Sequence, residues 1–466
     1  MMQHQIILMY LLYKQDFIRG EFMRLTVPEL KINDEEGFSK DKDLFNRKQF
    51  GDRLYNLIVN SDENLVLALD AQWGEGKSTF IKMWSGENKY KQEPPLETIY
   101  FDAFENDYQK EPFLALASEI YELLEDKAES KKAEFKQKAA QVFKTFSRGM
   151  IKTGIRLGTA GLLDGSILDQ AESDISTLVS EQVDSIIASK FESSKADKLA
   201  LSKFRDFLSD IAINYTPGKR IVFVIDELDR CRPDFALDLL ENIKHLFSVS
   251  GITFLLVMNR KQLEESVKCR YGDGIDSVTY LQKFINVWLS LPRASGKYQQ
   301  DDGVKYLVTA FKLMSDGSAI NNDEAVETLK LLVEHLKPSL RDIERMLTYF
   351  AIIENSLGIR MESYYQDVMA TICFMNVANP RLLDSVISKR AGSQELLESL
   401  QMSESSNYSD KYAIERLAAV IEFDLASEER RKVMQDTRLV EFRFGRLPSQ
   451  VFDYFYRLLN NIQPVR

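Results

Sequence analysis

The stretch from residue 65 to residue 84 constrains the fold more than any other part of this sequence. An apolar run of strand type, residues 65–69, precedes a loop with Gly74 and Gly76, and an apolar run of helix type, residues 80–84, follows it. A phosphate-binding loop requires this order, because glycines let backbone N–H groups converge on phosphate oxygens and the helix N-terminus adds its positive dipole end. The stretch therefore predicts an α/β fold with a phosphate site where the strand ends.

The loop and the first helical turn supply the candidate phosphate ligands, which are Ala71, Gln72, Trp73, Gly74, Glu75, Gly76, Lys77, Ser78 and Thr79. Lys77 offers a point charge to the β and γ phosphates, Ser78 a hydroxyl to Mg²⁺, and Thr79 can reach the α phosphate. Ala71 stands where the motif usually has its first glycine, and a small residue is sterically acceptable there. A chance Gly-Lys-Ser at a helix start is the alternative interpretation.

A second signal lies at residues 220–230, where an apolar run ends on Asp226 and Glu227. Such a run predicts a buried parallel strand, and the acidic end is typical of a Walker B motif. Asp226 would hold Mg²⁺ through water, and Glu227 would polarise the attacking water as a general base. Because ligands of parallel sheets collect at the carboxyl ends of the strands, we expect Asp226 and the Lys77 loop at the same edge.

Three more polar residues follow these strands. Arg230 and Arg232 could each stabilise charge in a transition state, or each could form an ion pair with Asp229. Asn259 follows the apolar run 252–258, where it could orient the hydrolytic water or serve as a turn-forming asparagine. Both interpretations remain open for each residue.

Composition narrows the classes of function. The chain has 60 Lys and Arg against 71 Asp and Glu, a formal charge of −11, which disfavours broad binding to a nucleic-acid backbone and leaves direct nucleic-acid binding uncertain. Cys231, Cys269 and Cys373 are odd in number and far apart, so they support neither a disulfide framework nor a CxxC zinc site. The three histidines are scattered as well, so any metal should be a hard cation bound by oxygen. We expect a cytoplasmic protein.

Two segments bear on membranes and on the chain start. Residues 6–13 are apolar but too short to span a bilayer, and residues 1–22 are either an upstream extension or the result of a start placed too early. The glycine-rich segment 149–168 is interrupted by charges, so we expect no spanning helix there. Peripheral contact with the inner membrane and packing between helices are both open for this segment.

Length and pattern together predict several regions, because 466 residues exceed what one core usually serves. The predicted regions are an N-terminal extension (1–23), a core with the phosphate loop (24–118), a helical insertion (119–210), a core with the acidic strand (211–292), a helical lid (293–356) and a helical C-terminal region (357–466).

The chain resembles the KAP family of P-loop NTPases, within the STAND and AAA-like branch. The resemblance runs from about residue 24 to about residue 350, and the string IDELDRCRP at 225–233 is its most specific element. The other matching strings are DLFNR at 43–47, WGEGKSTF at 73–80, IYFDAF at 99–104, YLQKFI at 280–285 and SLRDIER at 339–345.

The resemblance implies a three-layer sandwich with a parallel sheet, ATP and Mg²⁺ as ligands, and an ATP-dependent conformational switch. It also implies that Arg47 lies near the adenine end of the site and that Arg341 or Arg345, on the lid, contributes a sensor 2 charge to the phosphates. Many relatives carry transmembrane helices between the two Walker motifs, and bacterial relatives are associated with phage exclusion and defence modules.

The leading hypothesis is a Mg²⁺-dependent ATP hydrolase that acts as a switch in a bacterial signalling or anti-phage module. A nucleotide-binding scaffold with little turnover and a phosphoryl transferase are the alternatives. A protein partner or a homo-oligomer is expected, since a neighbouring subunit often supplies a finger arginine.

Overall fold

The computed structural model describes residues 22–33, 36–61, 64–109, 111–124, 129–150, 183–214, 220–294, 301–315, 323–357, 363–401, 408–436 and 451–462. The chain forms two compact units. The sheet unit comprises residues 32–72 and 77–292. The helical unit comprises Met1–Lys31, the loop segment Trp73–Gly76 and Arg293–Arg466.

A parallel sheet of five strands forms the centre of the sheet unit. The strands lie in the order β2-β3-β4-β1-β5, and each neighbouring pair is parallel. This confirms the predicted α/β class with a parallel sheet. The strands are β1 (Val66–Asp70), β2 (Leu96–Asp102), β3 (Arg220–Asp226), β4 (Ile252–Met258) and β5 (Val287–Ser290).

Helices pack on both faces of this sheet. They are α1 (Lys48–Val59), α2 (Lys77–Tyr90), α3 (Pro112–Leu123), α4 (Glu129–Met150), α5 (Val183–Asn214), α6 (Pro233–Asn242), α7 (Arg260–Tyr271) and α8 (Ser277–Leu281). Because side chains alternate along a strand, β3 serves two cores. Val222 and Val224 are buried with α1 and α2, whereas Ile221, Phe223 and Ile225 are buried with α3 to α6. The result is the expected three-layer sandwich.

The helices between β2 and β3 share the core of the sheet unit. Phe113 of α3 lies 5.6 Å from Phe204 of α5, measured between ring centroids, and Phe135 of α4 lies 6.0 Å from Phe204. The helices described between β2 and β3 are thus part of one core with the sheet. The glycine-rich segment falls outside the described residues beyond Met150. None of the helices described is both long and apolar enough to cross a membrane.

The helical unit follows Arg293. Its helices are α9 (Asp302–Met314), α10 (Asp323–Leu336), α11 (Leu340–Leu357), α12 (Ser363–Ala378), α13 (Pro380–Ile387), α14 (Ser393–Ser399), α15 (Tyr408–Leu425), α16 (Glu428–Asp436) and α17 (Val451–Ile462). A buried carboxylate, Asp367 on α12, accepts hydrogen bonds from Thr328 (2.6 Å) and Arg416 (2.9 Å) and so links three helices. Met23 belongs to the same unit, because its side chain is buried and its backbone N–H donates to Asn355 Oδ1 over 2.9 Å.

Candidate functional site

The glycine loop, residues 71–76, joins the end of β1 to the start of α2. Gly74 has a φ of +82° and Gly76 a φ of +76°, which side chains on L-residues rarely tolerate. At Gly74 space is restricted as well, since an added Cβ would lie 2.6 Å from the Cβ of Arg341. The loop conformation therefore requires glycine at this position for two independent reasons.

Lys77 is the first residue of α2, and its side chain folds back over the loop. The ammonium Nζ donates to the carbonyl oxygens of Ala71 (2.8 Å) and Gln72 (3.1 Å). Burial lowers the pKa of Lys77, and the charges of Asp229 and Asp226 oppose that shift. The lysine thus lies close to the acidic residues at the end of β3 and in the turn after it.

The carboxylate of Asp226 is the polar centre of the site and is only 1% exposed. The Ser78 hydroxyl donates to Asp226 Oδ2 over 2.6 Å, and the Tyr100 hydroxyl donates to the same oxygen over 2.9 Å. Burial, followed by the charge of Asp226, raises the pKa of Tyr100, so its hydroxyl remains a donor. The backbone N–H of Glu227 donates to Asp226 Oδ1 over 2.8 Å. The structure therefore brings Ser78 and Asp226 into direct contact across 148 residues of sequence.

Glu227 follows Asp226 in a left-handed conformation, with a φ of +59°. Non-glycine residues in this region are strained by about 1–3 kcal/mol, and such strain concentrates at functional sites. Its Oε2 accepts a hydrogen bond from Arg230 Nη1 over 2.9 Å. Burial nevertheless raises the pKa of Glu227 above its usual range. Arg230 is therefore hydrogen-bonded directly to Glu227, the candidate general base.

Arg232 and Asn259 have structural partners. The guanidinium of Arg232 pairs with Asp107 over 3.8 Å and is more than half exposed. Asn259 follows β4 and caps α7, because its Oδ1 accepts the N–H of Lys261 over 3.1 Å. A capping role accounts for asparagine at this position.

The remaining loop residues divide between exposed and buried positions. Gln72 and Trp73 are exposed, and Thr79 is half-buried in the first turn of α2. Glu75 is 7% exposed and forms an ion pair with Arg293 over 3.1 Å. Arg293 also donates to the carbonyl of Pro338 over 3.0 Å. Within the helical unit, the loop segment Trp73–Gly76 is thus bound by an arginine.

The three arginines implied by the family resemblance have different surroundings. Arg47 is buried, and its Nε donates to the carbonyl of Pro292 over 3.3 Å. Arg341 is exposed at the start of α11, beside Gly74. Arg345, one turn further along α11, lies 3.8 Å from Asp342 and is largely exposed.

Sequence reasoning missed two residues of the site, Tyr100 and Arg293. Tyr100 was part of a matching string, but nothing in its position on a strand indicated a hydroxyl aimed at Asp226. The partners of Arg293 are distant in sequence, since Glu75 lies 218 residues away. No local pattern encodes either contact.

The chain matches a protein-family model and is similar to several solved structures. Residues 47–385 match the model of the KAP family P-loop domain. The chain is similar to the ORC2 protein of Aeropyrum pernix, solved as ADPNP-ADP complexes, with 13% identity, a TM-score of 0.37, and coverage of 94% of this chain and 97% of that chain. It is also similar to the Walker-type ATPase PABY2304 of Pyrococcus abyssi, with 14% identity, a TM-score of 0.33 and coverage of 90% and 98%.

A third solved structure, the ORC1 protein of Aeropyrum pernix in complex with DNA, shares 12% identity at a TM-score of 0.32, with coverage of 92% of this chain and 84% of that chain. A search among curated proteins gave no match.

The parallel sheet, the glycine loop before α2 and the acidic end of β3 define a P-loop NTPase domain. The family model covers well over half of the chain. The protein therefore belongs to the KAP family of P-loop NTPases.

Proposed function

We propose that this protein binds ATP together with Mg²⁺, hydrolyses it, and acts as a conformational switch. The observation that carries the proposal is the 2.6 Å hydrogen bond between Ser78 and Asp226. It joins a hydroxyl at the start of α2 to a carboxylate at the end of β3, the two oxygen groups that P-loop NTPases use around their metal.

These residues suit Mg²⁺ as a ligand set. The ion prefers oxygen and is usually bound by one or two protein groups together with substrate phosphates and water. Among the residues described, no group of three or more His, Cys, Asp and Glu side chains could hold a metal. Ser78 would bind Mg²⁺ directly and Asp226 through water, with ATP supplying further oxygens. The ion would neutralise charge on the phosphates.

The neighbouring residues have proposed roles in the same reaction. Lys77 would move from its loop carbonyls to the β and γ phosphates, and Glu227 would accept the proton of the attacking water. Arg230 would stabilise negative charge, and Asn259 would orient the water with its amide. Arg341 is supported as a sensor 2 candidate by its place beside Gly74 in the helical unit, whereas Arg345 and Arg47 have only the family resemblance in their favour.

One observation favours the alternative of a nucleotide-binding scaffold with little turnover. Arg230 Nη1 lies 2.9 Å from Glu227 Oε2. The guanidinium opposes the rise in the pKa of Glu227 that burial causes, and it occupies Oε2, so this oxygen can accept a proton from water only after the ion pair opens. Turnover should then be slow until this ion pair opens, and a partner or a second subunit could open it.

The cellular location and the biological role of the switch are also part of the proposal. The three free cysteines support a cytoplasmic location. A bacterial signalling or anti-phage module is suggested only by the family resemblance. Peripheral membrane contact and direct nucleic-acid binding stay predictions.

The proposed function is tested by replacing Lys77 with Ala. Loss of a charged hydrogen-bond donor to the phosphates should weaken binding of a fluorescent ATP analogue by about 10–100-fold and abolish phosphate release. Lys82→Ala is the matched control, because Lys82 is an exposed lysine on the same helix, α2.

Analysis of the nucleotide and phosphate products distinguishes hydrolysis, phosphoryl transfer and a nucleotide-binding scaffold. ADP and inorganic phosphate in equal amounts support hydrolysis, and ADP without free phosphate indicates transfer to an acceptor. Tight binding without either product indicates a scaffold. Equal affinity in wild type and Lys77→Ala would contradict the proposed site.

A further inference from the structure

The carboxylate of Asp226 receives three hydrogen bonds within the chain. Oδ2 accepts the hydroxyls of Ser78 (2.6 Å) and Tyr100 (2.9 Å), and Oδ1 accepts the backbone N–H of Glu227 (2.8 Å). An ionised carboxylate has about four acceptor positions. Oδ2 is therefore fully used by the two hydroxyls, and the position that these bonds leave is on Oδ1.

Tyr100 reaches this carboxylate from β2, which neighbours β3 in the sheet. It is paired with Val224, two residues before Asp226. Its side chain is 39% exposed, so core packing explains the ring only in part. The hydroxyl, in contrast, lies on a carboxylate that is 1% exposed. Tyr100 is therefore linked to the buried Asp226 by its hydroxyl, and packing of its ring in the core does not explain this contact.

We propose that Tyr100 is a positioning residue for the metal-binding carboxylate of Asp226, an inference that rests on the proposed function. Its hydroxyl fixes the orientation of the carboxylate plane and occupies Oδ2 together with Ser78. This leaves an acceptor position on Oδ1 for a water of the bound Mg²⁺. Tyr100 thus supports Ser78 indirectly, since Asp226 accepts the hydroxyl of Ser78 and Tyr100 donates to Asp226.

Removal of the hydroxyl in Tyr100→Phe should weaken the binding of Mg²⁺. It should leave the binding of nucleotide without Mg²⁺ unchanged. The carboxylate would keep the bonds from Ser78 and Glu227 and could rotate more freely about its Cβ–Cγ bond. Hydrogen bonds to charged groups are strong enough for the Mg²⁺ concentration at half-saturation to rise about tenfold. Affinity for the nucleotide in EDTA should not change, because Tyr100 is not a phosphate ligand.

The experiment measures binding of a fluorescent ATP analogue to the full chain while Mg²⁺ is titrated, and again in EDTA. Tyr90→Phe is the control, because Tyr90 is a tyrosine of similar exposure (49%) in the same unit. Melting temperature is measured for each variant. The inference predicts a tenfold shift in Mg²⁺ dependence for Tyr100→Phe alone, with unchanged affinity for the nucleotide in EDTA.

Three results would overturn it, and they differ from one another. Identical Mg²⁺ titrations for wild type, Tyr100→Phe and Tyr90→Phe would refute the role of Tyr100 while the proposed function stands. Equal losses with and without Mg²⁺, together with a lower melting temperature, would show that the hydroxyl serves folding only. A wild type that binds no nucleotide under either condition would refute the proposed function and the role of Tyr100 with it.

Discussion

Replacement of Glu227 by Gln tests the candidate general base with little change in shape. Glutamine keeps the size of the side chain and an oxygen that can accept the hydrogen bond from Arg230, which is 2.9 Å long in the wild type. It cannot accept a proton from water. The substitution therefore separates the chemistry of this residue from its packing.

The expected magnitudes follow from the surroundings of Glu227. Its side chain is 23% exposed and that of Arg230 is 29% exposed, so loss of this partly solvated ion pair should cost no more than about 1 kcal/mol of stability. Loss of a general base lowers the rate by about 10²–10⁴-fold, which equals about 3–5 kcal/mol in activation free energy. Affinity for ATP with Mg²⁺ should stay within about threefold of wild type, since no phosphate contact is removed.

The assay compares phosphate release at saturating ATP with binding of a fluorescent analogue. Glu264→Gln is the matched control, because Glu264 pairs with Arg260 over 2.7 Å at a similar exposure of 19% and lies outside the proposed site. We expect a wild-type rate for Glu264→Gln. Phosphate release at the wild-type rate in Glu227→Gln would refute the assignment of the base. An equal loss in both variants would attribute the effect to a lost ion pair.

Two further predictions concern the loop and the helical unit. Gly74→Ala should destabilise by about 2–6 kcal/mol and weaken nucleotide binding, because the positive φ and a contact of 2.6 Å both oppose a Cβ. Gly272→Ala, with a φ of +90° and nothing within 4 Å, isolates the backbone cost of about 1–3 kcal/mol in urea unfolding. Arg416→Met should lower stability by about 1–3 kcal/mol, because it removes a hydrogen-bond donor from the buried Asp367, whereas Arg430→Met, in an exposed ion pair, should cost less than about 1 kcal/mol. A smaller effect for the first variant of either pair would contradict the reasoning.

The strands that build the site could be predicted because their signals are local. Apolar runs bounded by Gly74 or by Asp226 leave few alternatives, and β3 and β4 end where the sequence indicates. The meeting of Ser78 with Asp226 was also predictable, since parallel strands place their carboxyl ends at one edge. General rules of sheet topology were thus enough to predict that Ser78 and Asp226 lie close together.

The partners of the arginines could not be predicted in the same way. Arg230 lies close in sequence to both Asp229 and Glu227, and its bond to Glu227 accompanies a φ of +59° at that residue. No periodic pattern encodes a left-handed glutamate. The contact of Tyr100 with Asp226 could not be predicted for a related reason. A strand pattern shows which face of the sheet a side chain lies on, but it does not show which group its hydroxyl contacts.

Single-turnover hydrolysis tests the central claim most directly. The full chain is mixed in molar excess over ATP in the presence of Mg²⁺, and the nucleotide is analysed after acid quenching at successive times. The account predicts conversion of the bound ATP to ADP and inorganic phosphate in one kinetic phase, and no conversion by Lys77→Ala. Bound ATP that stays intact on the wild-type protein would contradict it.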